Sequence, residues 1–129
     1  MTVLIADGSQ AVAERLTTML SELRGVEIAH ASTVPDPLGV VRALWADVVL
    51  LDLQLPGGRG IDVLKAIKRE RPSSIVIVFT NQSHPQYRKK CLENGAHFFI
   101  DKSTEFQKVP GVLRELVSAG SSEAPGARQ

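Results

Sequence analysis

Four residues of types that can do chemistry stand at the ends of apolar runs. Asp7 follows Val3-Leu4-Ile5-Ala6, Asp52 follows Val48-Val49-Leu50-Leu51, Thr80 closes Ile75-Val76-Ile77-Val78-Phe79, and Lys102 comes just after Phe98-Phe99-Ile100-Asp101. Two carboxylates, a hydroxyl and an ammonium around one pocket can hold a divalent cation and a phosphoryl group together. Taken singly, each has a plain explanation: an Asp tidies its turn by accepting backbone N–H bonds, a β-branched Thr suits a strand, and a Lys suits a surface. Their shared position points to chemistry only if the runs are parallel strands whose ends are neighbours. In such sheets ligands bind beyond the carboxyl ends of the strands.

The elements that would position them follow from periodicity. Runs of uniformly apolar residues too short for a helix predict central strands covered on both faces, at 48–51 and 75–79. The alternation of Val26-Glu27-Ile28-Ala29 suits an outer strand with one face less buried. Five such runs alternate with five helical segments, which predicts an α/β domain: a doubly wound, five-stranded parallel sheet with helices on both faces. The first helix is capped by Ser9, carries Val12, Leu16, Met19, Leu20 and Leu23 on one face, and is stopped by Gly25. The second has Asp36 as its cap, Pro37 at its first position, and Leu38, Val41, Leu44 and Trp45 at helical spacing. A third follows Gly60 with Ile61, Val63, Leu64 and Ile67 inward until Pro72 forbids continuation, and a fourth runs from Pro85 to Glu93 before Asn94-Gly95. The last is expected to be capped by Ser103 or Thr104, to hold Pro110 in its first turns, and to bury Phe106, Val109, Val112, Leu113, Leu116 and Val117. Residues 1–118 form the domain, and 119–129, small and polar without apolar periodicity, read as a disordered tail or linker stub.

Composition narrows the function classes. At 129 residues the chain has one domain's length and needs no disulfide or structural metal. Its single cysteine, Cys91, reads as a core thiol in a reducing compartment. Without a basic leader or a long apolar stretch, a cytoplasmic protein is expected, with no membrane contact. Fifteen basic residues against fourteen acidic ones leave a formal charge of +1, which argues against direct nucleic-acid binding. The short cluster Arg88-Lys89-Lys90 has no aromatic platform and reads as a solvated helix face. There is no G-x-x-x-x-G-K-[ST] or G-x-G-x-x-G motif, and His30, His84 and His97 lack paired ligand spacing, so neither catalysis on an external substrate nor a zinc site is expected.

Over about residues 2 to 118 the chain resembles the receiver domain of two-component response regulators, with the flavodoxin-like fold that implies. The likeness is carried by Asp7, by Asp52 in Leu51-Asp52-Leu53-Gln54-Leu55-Pro56, by Gly60, by Thr80 after its apolar strand, and by Lys102 after Phe99-Ile100-Asp101. The resemblance implies that Asp52 is a phosphoacceptor served by a sensor histidine kinase or a phosphotransfer protein. It implies that Thr80 and Lys102 contact the phosphoryl oxygens, and that Phe99 is an aromatic switch that turns inward when Thr80 is recruited. It further implies that Mg²⁺ is held by Asp7, Asp52 and the backbone carbonyl of Gln54.

The sequence departs from that pattern at Gly8, where receivers place a second, directly metal-ligating acid. Losing a full negative charge predicts weakened Mg²⁺ affinity, and phosphorylation by small donors that is slow and strongly dependent on Mg²⁺. Asn81 and Ser103 also replace the family's usual smaller residue and proline, while Gln54 and Gln82 occupy positions that influence hydrolysis of the phospho-aspartate. Output through protein contact is expected, near Tyr87, Phe99 and Arg114, with a homodimer through the last two helices and last strand as one form of it. The alternative is a phosphorylation-independent receiver used as a constitutive interaction module, which Gly8 favours and the retained Asp52, Thr80 and Lys102 oppose.

Overall fold

Strands β1 (Thr2–Ala6), β2 (Glu27–Ala31), β3 (Val48–Leu51), β4 (Ile75–Thr80) and β5 (Phe98–Asp101) pair in parallel in the order β2-β1-β3-β4-β5. This is a computed structural model, and it describes residues 1–31, 39, 46–54, 59–81 and 84–123. Helices α1 (Gln10–Leu20), α2 (Gly60–Glu70), α3 (Pro85–Glu93) and α4 (Val109–Glu123) are described, the last entered through a 3₁₀ turn at Phe106–Lys108. The result is the doubly wound, flavodoxin-like sheet expected from the alternating pattern. Apart from Gly39, the helix expected between Asp36 and Trp45 lies outside the described residues, as do Leu55, Pro56 and Gln82.

The strands alternate between two core layers. Val3, Ile5, Val48, Leu50, Ile77, Phe79 and Ile100 pack with Leu16 and Leu20 of α1, Phe106, and Val109 and Leu113 of α4. Leu4, Ala6, Val49, Leu51, Val76, Val78 and Phe99 pack with Val63, Leu64 and Ile67 of α2 and with Cys91 of α3. Burial on both faces is why 48–51 and 75–79 carry no polar alternation. Each of their large side chains contributes about 1.5–3 kcal/mol relative to exposure. Cys91 is buried, as expected for a core thiol, and burial pushes its thiol pKa up.

Several boundaries differ from expectation. β2 starts at Glu27 and runs to Ala31, further along than the alternating run suggested, so His30 is a strand residue paired with Ile5. Gly25 has the left-handed φ of 78°, but α1 has already ended at Leu20, and turns fill the interval. Neither Ser103 nor Thr104 caps the final helix: Asp101 Oδ1 accepts from the Ser103 N–H (2.8 Å), the Ser103 hydroxyl (2.7 Å) and the Thr104 N–H (3.3 Å). Those bonds hold a turn after β5. α4 runs to Glu123, so the backbone of 119–123 is helical where lost periodicity suggested a tail. Extending a formed helix adds one hydrogen bond per residue without a fresh nucleation cost.

Candidate functional site

The last rungs of the sheet place the site. Beyond each strand's own ladder, Asp7 N–H donates to Ala31 O (3.1 Å), Asp52 N–H to Ala6 O (2.9 Å) and Lys102 N–H to Thr80 O (2.9 Å). Each chemical residue is thereby tied to the neighbouring strand just where the chain leaves the sheet. The strand order reverses between β1 and β3, which is the switch point where such folds open a crevice. Asp7 and Asp52 flank it.

The side chains converge on one cation. Lys102 Nζ donates to Asp7 Oδ2 at 2.6 Å and to Asp52 Oδ2 at 2.9 Å, joining positions 95 and 50 residues apart in sequence. The second oxygen of each carboxylate is held locally: Asp7 Oδ1 accepts from Ser9 N–H (2.8 Å) and Asp52 Oδ1 from Gln54 N–H (3.0 Å). Both carboxylates are thus oriented by a turn bond on one oxygen and the ammonium on the other. The three side chains are largely dry, at 11 % exposure for Lys102, 3 % for Asp7 and 11 % for Asp52. Burial alone would lower the Lys102 pKa; hydrogen bonds to Asp7 and Asp52, and the charges of both, outweigh it and leave the pKa raised. Lys102 Nζ also lies 5.4 Å from the centre of the Phe79 ring.

Thr80 is fully buried at the end of β4, beside the Lys102 amide it receives. Phe99 is already buried, 5 % exposed, with the Arg88 guanidinium carbon 5.5 Å from its ring centre, so it adds no exposed surface to the contact region expected around it. Tyr87 and Arg114 are exposed. Gly8 is exposed in the turn between Asp7 and the Ser9 cap, whose hydroxyl accepts from Val12 N–H at 3.2 Å.

Gly60, which opens α2, is required by packing: a Cβ there would stand 2.3 Å from Leu53 Cα, and its N–H already donates to Leu53 O at 3.1 Å. Leu53 is the residue after Asp52, so this close approach sets where the loop bearing the carboxylate lies. Sequence reasoning missed His30, whose Nε2 is 2.9 Å from the Asp7 carbonyl. The only signal for it was the strand reaching beyond Ala29.

A hard-oxygen donor set fits Mg²⁺, which takes oxygen ligands and keeps several waters. The side-chain share of that set is two carboxylates that already gather a cation, and among the described residues no group of three or more His, Cys, Asp or Glu could hold a metal. The two carboxylates fit such an ion in the chemistry of their oxygens, which Lys102 occupies in this structure.

A parallel α/β sheet in this order, with an acid pair and a lysine at its switch point, has the architecture of a signal-receiving domain. A family model for the response regulator receiver domain matches residues 3–114. The chain belongs to that family, whose members act in two-component signalling. It is 26 % identical over 115 residues to the response regulator GacA of Pseudomonas aeruginosa, covering 88 % of this chain and 54 % of GacA. It is 33 % identical over 121 residues to a cyclic di-GMP phosphodiesterase of Thermotoga maritima, covering 91 % of this chain and 32 % of that one. The chain thus spans about half the length of the first and a third of the second. The isolated receiver domain of RcsB from Salmonella enterica serovar Typhimurium, solved with the phosphomimetic BeF₃⁻, superposes with a TM-score of 0.84 at 27 % identity, covering 92 % of this chain and 88 % of that one. No helix among the described residues is long and apolar enough to cross a membrane.

Proposed function

We propose that Asp52 is the phosphoacceptor of this receiver, taking its phosphoryl group from the phosphohistidine of a sensor histidine kinase or phosphotransfer protein. The observation that carries the reading is the single ammonium of Lys102 bonded to both Asp7 and Asp52. A carboxylate is a weak nucleophile, and its attack on a phosphoryl donor brings anions together, so fixed orientation and positive charge must do most of the work. Gln54 N–H orients the Asp52 carboxylate. A carboxylate oxygen forms the new bond to phosphorus while the phosphorus–nitrogen bond of the donor breaks and the imidazole leaves. Lys102 then moves its charge from the carboxylates to the phosphoryl oxygens, and the Thr80 hydroxyl donates to one of them. Asp7, Asp52 and the Gln54 carbonyl would hold Mg²⁺, which when bound would supply further positive charge to offset the anions brought together. With Gly8 in place of an acid, that affinity is weak.

Signalling follows from the same contacts, because a modification shifts a two-state equilibrium only by what it favours in one state. Releasing Lys102 from Asp7 and recruiting Thr80 is such a difference, and output passes to a protein partner through α3, β5 and α4, where Tyr87 and Arg114 are exposed; pairing of two copies there is one form of it. Residues 1–118 suffice for this function.

The test is phosphoprotein electrophoresis after mixing with acetyl phosphate across a Mg²⁺ series, with Asp52→Asn as control. Label should rise steeply from micromolar to millimolar Mg²⁺ and be absent in the control. Equal labelling at both ends would overturn the weak metal site. No label at any level would favour the second reading, a constitutive interaction module, which Gly8 and the already buried Phe99 support.

A further inference from the structure

β2 is an edge strand, and its exposed His30 reaches across to the acid loop of β1 in a part-buried hydrogen bond, with Nε2 2.9 Å from the carbonyl oxygen of Asp7. A carbonyl only accepts, so His30 is the donor through Nε2–H. The Asp7 N–H donates in turn to Ala31 O at 3.1 Å, so the backbone of Asp7 is fastened to β2 on both its N–H and its C=O. The fastening sits at a weak point. The held carbonyl belongs to the peptide joining Asp7 to Gly8, and glycine gives the chain its greatest backbone freedom. The Asp7 carboxylate beyond it must meet Lys102 at 2.6 Å while its other oxygen accepts from Ser9 N–H.

We infer that His30 is a positioning residue for the phosphoacceptor site: by holding the Asp7–Gly8 peptide, it keeps the Asp7 carboxylate aimed at Lys102 where glycine stands in place of a second acid. Its consequence at Asp52 rests on the phosphoacceptor reading; the positioning itself does not.

The test compares the full chain with His30→Leu, which fills the same space without a donor, and His30→Gln, which restores one. Without phosphodonor, the amide resonances of Gly8 and Ser9 should move in His30→Leu and return toward the parent in His30→Gln. With acetyl phosphate and saturating Mg²⁺, His30→Leu should lose about fivefold in maximal labelling rate at an unchanged half-saturating donor concentration, the scale of one hydrogen bond's net contribution. His30→Gln should recover most of that rate, with urea midpoints showing all three chains folded. Wild-type labelling by His30→Leu overturns the inference, and so does a Gln variant as slow as Leu, which would assign the ring to packing alone. If the parent takes no label, the phosphoacceptor reading falls. The amide comparison then decides positioning: a shift in Leu that Gln reverses sustains it, and no shift overturns it.

Discussion

Lys102 holds two carboxylates together, and both the stability and the metal response of the site follow from it. The raised pKa of its ammonium means that the folded chain holds this proton more tightly than the unfolded one. Its contribution is therefore complete below the ordinary lysine value of 10.5 and is lost as pH rises through the raised folded value. Urea midpoints should fall more steeply above that pH in the parent than in Lys102→Met. At neutral pH, Lys102→Met leaves Asp7 and Asp52 facing each other without their cation. A sealed buried pair broken this way costs about 3–5 kcal/mol, and the open edge of this site to water brings the expected loss to about 2 kcal/mol. On the proposed reading Mg²⁺ would draw on the same two carboxylates that Lys102 holds, so millimolar Mg²⁺ should raise the melting temperature of Lys102→Met by more degrees than that of the parent. An equal or smaller rise, read by differential scanning fluorimetry, would mean that Lys102 and the metal do not share the site.

The elements differ in how plainly the residues announce them. β3 and β4 were legible because burial on both faces leaves no polar position to confuse the pattern, and α3 begins and ends where expected because Pro85 sets its first turn and Gly95 adopts a φ of 103° after it. β2 was displaced because an edge strand with a single buried residue has a weak signal, and its true end is what brings His30 to Asp7. The turn after β5 was misread because Asp101, rather than the two hydroxyl residues after it, accepts the bonds. The identities of Asp7, Asp52, Thr80 and Lys102 were readable at strand ends, whereas the bridge between them depends on register across strands far apart in sequence. The junction of β3 and α2 yields a prediction of the same kind. At Gly60 a Cβ meets Leu53 backbone atoms at 2.3, 2.7 and 2.8 Å, and backbone cannot swing aside as a flexible side chain can. Gly60→Ala should cost about 1–3 kcal/mol by overpacking and, by pushing Leu53, should slow labelling of Asp52 as well. Stability loss with an unchanged labelling rate would separate this contact from the site.

Across the molecule, the described residues cover one face of the sheet with α1 and α4 and the other with α2 and α3, so independence of the domain depends on how much of α4 the core uses. Val109 and Leu113 are fully buried and Leu116 still packs against that layer, whereas Ser118 is exposed. The helix continues to Glu123, but helix backbone near an end contributes little unless an apolar face is buried. A chain of residues 1–118 should therefore match the full chain within about 0.5 kcal/mol in urea denaturation, the scale of a change that leaves the described core intact. It should also label at Asp52 at the same rate, since no site residue lies beyond Lys102. Ending the chain at Leu113 instead strips Leu116 from the core and removes the turns that hold Val109 and Leu113 in place, with an expected cost of about 2 kcal/mol or more. A large loss already at 118 would show that residues 119–129 belong to the folded unit, and would move the boundary of the receiver past the last apolar position of α4.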